Sequence, residues 1–167
     1  MSGAMKTVFF GTGEIGLPSL RRLLDAPGVA VVGVVTQPDR ASGRGLRMAF
    51  SPVKQLALDR GVPVLQPARL RDPAALAEIA ALGADLFVVM AYGQIFPQAL
   101  LDAAPLGAVN LHASLLPRHR GAAPVQSALL AGDARSGVTA MWMDAGLAPG
   151  AVLLQRGVDI GPDEPAG

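Results

Sequence analysis

The sequence predicts a doubly wound α/β domain: a Rossmann-like, mostly parallel sheet with helices on both faces. Three observations predict it. Apolar runs of strand length alternate with helical patterns from the first residues onward. The runs Val29 to Val35 and Leu86 to Ala91 are apolar at every position, as strands covered on both sides of a parallel sheet are. Hydrophobic residues make up 51% and charged residues 16% of the 167 positions, a balance that suits one sizeable buried core.

The elements follow in order. Thr7 to Phe10 reads as a first strand closed by Gly11. Leu17, Leu20, Leu23 and Leu24 recur at helical spacing, and Pro18 suits a first helical turn. Val29 to Val35 is the second strand. Thr36 to Arg47 has no apolar periodicity and is broken by glycine and proline, so a long exposed loop is expected there. Ser51-Pro52 caps a helix running to about Arg60, with Gly61 as its stop. Pro63 to Leu65 is a short strand. Asp72-Pro73 opens a helix with Leu76, Ile79 and Ala80 on one side and Gly83 at its end. Asp85 to Ala91 carries the strongest strand signal. A short helix over Pro97 to Ala103 and a strand over Gly107 to His112 come next. Pro124 to Ala131 reads as a helix, Val138 to Met143 as a strand, and Ala151 to Ile160 as one long strand or two short ones. There is no internal repeat.

Composition excludes several classes. With no cysteine there is neither a disulfide framework nor a thiolate metal site, and two histidines argue against a His-rich one. The net charge of +1 makes no overall case for nucleic acid, so any such case must be local. The apolar runs are too short to span a bilayer, and Met1 to Lys6 lacks the pattern of a signal peptide. The composition fits a cytoplasmic protein.

Gly11-Thr-Gly13-Glu-Ile-Gly16 follows a strand and opens a helix, which matches the dinucleotide-binding fingerprint in spelling and context. That fingerprint also requires an acid closing the second strand to hold a ribose. Here the second strand ends in Thr36-Gln37, and the nearest acid, Asp39, lies beyond Pro38. The glycines are therefore read as a sharp β-to-α turn, with a dinucleotide-dependent oxidoreductase as the rival.

Chemistry concentrates in Asn110-Leu-His112-Ala-Ser-Leu-Leu-Pro117-Arg-His-Arg-Gly121. Asn110 and His112 are two apart on a strand and so share a face. They stand at its C-terminal end, where open α/β sheets bind ligands. The strand Val138 to Met143 ends at Asp144 before a glycine-bounded turn. Two neighbouring strand ends are thus expected to deliver an amide, an imidazole and a carboxylate to one crevice. An Asp beside a His orients the ring and favours its protonated form, and an Asn amide is a neutral donor to an oxyanion. No Gly-x-Ser-x-Gly elbow is present, so direct acyl transfer without a covalent acyl-enzyme fits best.

Asn110 to Pro124 resembles the signature of the folate-dependent formyltransferases, and within them of the branch that acts on methionyl-tRNA. Three more segments share the likeness: Thr36 to Gly45, Ser51-Pro-Val-Lys54, and Ala91-Tyr-Gly-Gln-Ile-Phe-Pro97. The resemblance runs from about Lys6 to Asp163. It implies 10-formyltetrahydrofolate as formyl donor, the α-amine of methionine on initiator tRNA as acceptor, and no metal. It implies Asn110, His112 and Asp144 as the catalytic trio. It implies Ser114, Leu115, Leu116 and Pro117 as the folate-contacting loop, and Met90, Tyr92, Gly93, Ile95 and Met143 as walls of the pterin pocket, partly through backbone groups. Arg40, Arg44 and Arg47 match an insertion that reaches the tRNA acceptor arm. Three cations on a glycine-flexed segment suit phosphate contacts, although no aromatic is interleaved among them.

The chain also departs from the family pattern. The turn after Asp144 reads Ala-Gly-Leu-Ala148-Pro149-Gly where Val-Gly-Leu-Asp-Thr-Gly is usual, which removes polar groups beside the expected pterin. Gly13 stands where proline is common, and His119 where Trp or Tyr is. The resemblance makes residues 1–167 an N-terminal catalytic domain, truncated near its end and without the family's C-terminal tRNA-binding β domain. A monomer is expected. The alternatives are formylation of another amine, such as a sugar nucleotide or glycinamide ribonucleotide, and a non-catalytic folate- or RNA-binding fragment.

Overall fold

The computed structural model describes residues 3–42, 44–45, 47–114, 130–131, 133, 135–144 and 149–160. Within them lies a seven-stranded sheet of order β5-β2-β1-β6-β7-β8-β9. The strands are β1 (Met5–Phe10), β2 (Val29–Val35), β5 (Val64–Leu65), β6 (Leu86–Val89), β7 (Ala108–His112), β8 (Arg135–Met143) and β9 (Pro149–Asp159). All pairings from β5 to β7 are parallel. β7 to β8 and β8 to β9 are antiparallel. The doubly wound α/β reading therefore holds, with an antiparallel extension at one side.

Among the described residues four helices flank the sheet: α1 (Leu17–Asp25), α2 (Pro52–Asp59), α3 (Pro73–Ala80) and α4 (Gln98–Leu101). The strands alternate their side chains between two cores. Phe9, Val34, Val88 and Met90 meet Leu20 of α1 and Val53 and Ala57 of α2. Val8, Phe10, Phe87, Val89 and Ala108 meet Ile79 of α3 and Leu100 and Leu101 of α4. Phe10 anchors the second core, with edge-on contacts to Phe87, Tyr92 and Phe96 at 5.2, 5.6 and 4.7 Å.

Helix ends obey local chemistry. The Ser51 hydroxyl accepts the Lys54 amide at 3.1 Å and so caps α2, with Pro52 in the first turn. Asp72 occupies the same place on α3, but its side chain makes no cap bond. Gly83, at φ 67°, ends the turn after α3 in the left-handed region that suits glycine. The segment expected as a loop after Thr36 instead holds a two-stranded antiparallel hairpin, β3 (Arg40–Ser42) with β4 (Arg47–Ala49). The expected helix over 124–131 lies almost wholly outside the described residues. Among the described residues no helix is long and apolar enough to cross a membrane.

Candidate active site

The chain runs from β1 outward through β2 to β5, then returns to place β6 on the other flank of β1. A crevice forms where strand order reverses, at the C-terminal ends of β1 and β6. Gly11 to Gly13 and Met90 to Gly93 meet there. The protein's own polar groups fill it. The Gln37 amide donates to the Tyr92 carbonyl at 3.2 Å, and its backbone N–H donates to the Thr12 hydroxyl at 3.2 Å. The Gln94 amide donates to the Gln37 side-chain oxygen at 2.9 Å and accepts the Leu70 N–H at 2.9 Å.

Close packing accounts for Gly11. A Cβ there would lie 2.7 Å from the Phe9 ring and 2.8 Å from the Met90 carbonyl oxygen. The first glycine of the fingerprint thus lets two strand ends approach, with no ligand required. Ala91, at φ 52°, is the one non-glycine among the described residues with positive φ. Such a conformation costs on the order of 1 kcal/mol and turns the chain sharply away from β6.

One strand further along, Asn110 and His112 stand on the α4 side of β7, the face shared by Ala108. Both are half-buried. Their cross-strand neighbours are on β8: Asn110 opposes Met141, and His112 opposes Thr139. The buried Thr139 hydroxyl donates to the Ser114 carbonyl at 2.7 Å and accepts from the Gln155 amide of β9 at 3.0 Å. This bond ties the chain just past His112 to both antiparallel strands. Thr139 and Gln155 gave no signal in the sequence, because only the pairing of β7 with β8 brings them to His112.

Asp144 does not join this pair. β8 runs antiparallel to β7, so its C-terminal end lies at the N-terminal end of β7. Trp142 opposes Val109. Met143 and His112 are therefore four residue spacings apart, roughly 14 Å along the ladder, and Asp144 lies beyond Met143. The expectation that neighbouring strand ends deliver the trio to one crevice fails on strand direction. Asp144 instead lines, with Gln98, Leu101, Asp102, Leu106, Gly107 and Met143, an open cleft of about 380 Å³.

The other expected residues divide. Met90 and Tyr92 point their side chains into opposite cores and leave only backbone to any ligand. Burial pushes the Tyr92 phenol up to about 12. Gly93 and Ile95 are exposed at the crevice mouth. Ser114 is fully buried. Leu115, Leu116 and Pro117 lie outside the described residues. Arg40 and Arg44 are exposed on the β3–β4 hairpin, and Arg47 opens β4. Among the described residues no group of three His, Cys, Asp or Glu side chains could hold a metal ion.

Comparison with known proteins completes the description. The formyl transferase family model matches residues 5–167. A methionyl-tRNA formyltransferase of Symbiobacterium thermophilum is 55% identical over 98% of this chain, which covers 50% of that protein. One of Stutzerimonas stutzeri is 56% identical over the full chain, which covers 53% of it. The chain thus spans about half the length of the curated relatives it matches. The crystal structure of phosphoribosylglycinamide formyltransferase from Bacillus halodurans superimposes with a TM-score of 0.77 over 96% of this chain and 83% of its own, at 20% identity. That likeness concerns the fold.

Proposed function

This chain belongs to the formyl transferase family, and we propose that it transfers a formyl group from 10-formyltetrahydrofolate to the amino group of methionine on initiator methionyl-tRNA. The observation that carries this reading is the match of nearly the whole chain, above half identity, to relatives named for that reaction. Asn110 and His112, sharing one face at the end of β7, are the groups we assign to the chemistry.

As the methionyl amine adds to the formyl carbon, negative charge develops on the formyl oxygen. The Asn110 amide and a ring N–H of His112 each donate a hydrogen bond to that oxygen. One such donor is worth about 10²–10³ in rate. The proton lost by the attacking amine passes through water to N10 of the folate, which lets tetrahydrofolate depart as a neutral amine. Asp144 is not assigned to orienting His112. The cleft that Asp144 lines with Met143 opens beside Leu106 and Gly107, at the start of β7, and is given no part in the chemistry. Gly93, Ile95 and Ser114, at the same C-terminal strand ends as the pair, are assigned with the segment through Pro117 to the folate. Arg40, Arg44 and Arg47 are assigned to acceptor phosphates.

Calorimetric titration with a stable 10-formyltetrahydrofolate analogue, with NAD in a parallel cell, tests the reading. Folate binding alone is expected. Binding of NAD alone would mean that the glycine turn is a dinucleotide site after all and would overturn the proposal.

A further inference from the structure

The β3–β4 hairpin is too short to hold itself. A two-stranded ribbon with three residues per strand is not independently stable in water. Its exposed residues include Met48 and Phe50, which gain nothing from being there unless something else fixes them. Phe50 is held by an ammonium group. Lys54 Nζ donates to Asp39 Oδ2 at 2.7 Å and sits 3.9 Å from the centre of the Phe50 ring. Asp39 immediately precedes β3 and Phe50 immediately follows β4. One side chain therefore grips both legs of the hairpin, by an ion pair on one and a cation–π contact on the other.

The grip is anchored from behind. Lys54 lies in the first turn of α2, whose Val53 and Ala57 are fully buried against the sheet. Its backbone N–H is bound by the Ser51 cap, and the Ser51 hydroxyl is 3.1 Å from that of Thr36, where the insertion leaves β2. The Gln66 amide holds the other Asp39 oxygen at 2.8 Å, and the Lys54 side chain is only 12% exposed. The hydrogen bond from Lys54, reinforced by that from Gln66, keeps the Asp39 carboxyl below its ordinary range. An ammonium this enclosed and already paired is poorly placed to meet a phosphate. Arg40 and Arg44, exposed on the ribbon, are well placed.

We propose that Lys54 is a positioning residue that holds the Asp39 and Phe50 legs of the hairpin together, so that Arg40 and Arg44 meet the acceptor RNA from a pre-set ribbon. This deepens the proposed reaction and rests on it for the identity of the RNA. Loss of the clamp leaves the arginines in place but charges binding with the ordering of the segment.

The test compares wild type with Lys54→Met, Lys54→Arg and Arg44→Ala. In limited trypsin digestion of the unliganded chain, cleavage after Arg40 and Arg44 is expected to be about tenfold faster in Lys54→Met. Lys54→Arg, which retains both contacts, is expected to digest like wild type. In binding of initiator tRNA across a salt series, Lys54→Met should weaken binding about fivefold with an unchanged salt slope, whereas Arg44→Ala should reduce the slope by about one. Equal digestion of Lys54→Met and wild type would overturn the clamp. A slope reduced by about one in Lys54→Met would overturn the positioning role, because Lys54 would then be a phosphate contact itself. If wild type digests as expected but binds no tRNA at any salt, the acceptor assignment fails, and with it the RNA half of the proposal.

Discussion

The five parallel strands and the two antiparallel ones make opposite uses of apolar residues. In the parallel part, Val8, Phe9, Phe10, Val34 and Val35 are fully buried, and neighbouring strands are covered by helices on both faces. In β9, Val152, Leu153, Leu154 and Val158 are between 47% and 63% exposed. Both parts carry apolar runs, yet only the first turns them into a core. Asn110 and His112 sit on the boundary strand, held by parallel bonds to β6 on one side and antiparallel bonds to β8 on the other. The boundary strand is thus paired on one side to a buried sheet and on the other, among the described residues, to a largely exposed one.

Truncations within the two parts give the largest expected contrast. Phe87→Ala removes a ring that is 1% exposed and packed on Phe10, and is expected to cost about 3–5 kcal/mol in denaturant unfolding. Leu154→Ala, at 58% exposure, is expected to stay within about 0.5 kcal/mol. Comparable losses at the two positions would mean that β9 is covered after all. A second contrast concerns chemistry on the two strands. His112→Ala is expected to lower the transfer rate about 100-fold or more while leaving folding intact, since the residue stands at a strand end. Asp144→Asn should leave both kcat and folate KM within a few-fold. A kcat loss in Asp144→Asn matching that of His112→Ala would restore the carboxylate to the imidazole and break the separation drawn from strand direction.

The smallest effect is one of pH. Tyr92 keeps its proton to about 12 because burial disfavours the phenolate. Its folded value is thus raised above that of the unfolded chain. The contribution is fully present below the unfolded value near 10, declines as pH rises, and is gone once pH passes the folded value. Chemical denaturation between pH 9 and 12 should show a decline in stability that Tyr92→Phe makes shallower. An identical slope in both proteins would count against the buried phenol.

The same contrast marks how far the sequence could be read. Parallel strands declare themselves, because burial on both faces demands unbroken apolar runs such as Val29 to Val35. Ser51-Pro52 and Gly83 declare helix ends through capping and left-handed backbone. Asn110 and His112 share a face because a strand alternates. Strand direction has no such mark. The connection between His112 and Arg135 is long enough to bring the chain back to either end of the sheet, and nothing in the apolar pattern of Val138 to Met143 differs between the two cases. The placement of Asp144 therefore stayed hidden. The hairpin stayed hidden for another reason: Arg40 to Ala49 has no strand pattern of its own, and contacts from Lys54 and Gln66, distant in sequence, hold its neck. Met90 and Tyr92 are adjacent to the crevice in sequence, but only packing shows that their side chains turn away from it.

The place of β1 between β2 and β6 has a consequence for synthesis. Phe10 finds one partner in Val35 and the other in Val89, far later in the chain. At about 5–20 residues per second, translation leaves that second edge open for roughly 4–16 s after β1 emerges. Throughout that interval Val8, Phe9 and Phe10 form an unpaired apolar edge beside the ribosome. Closure comes with β6, so the nascent chain is most vulnerable to mispairing before residue 89 has left the exit tunnel.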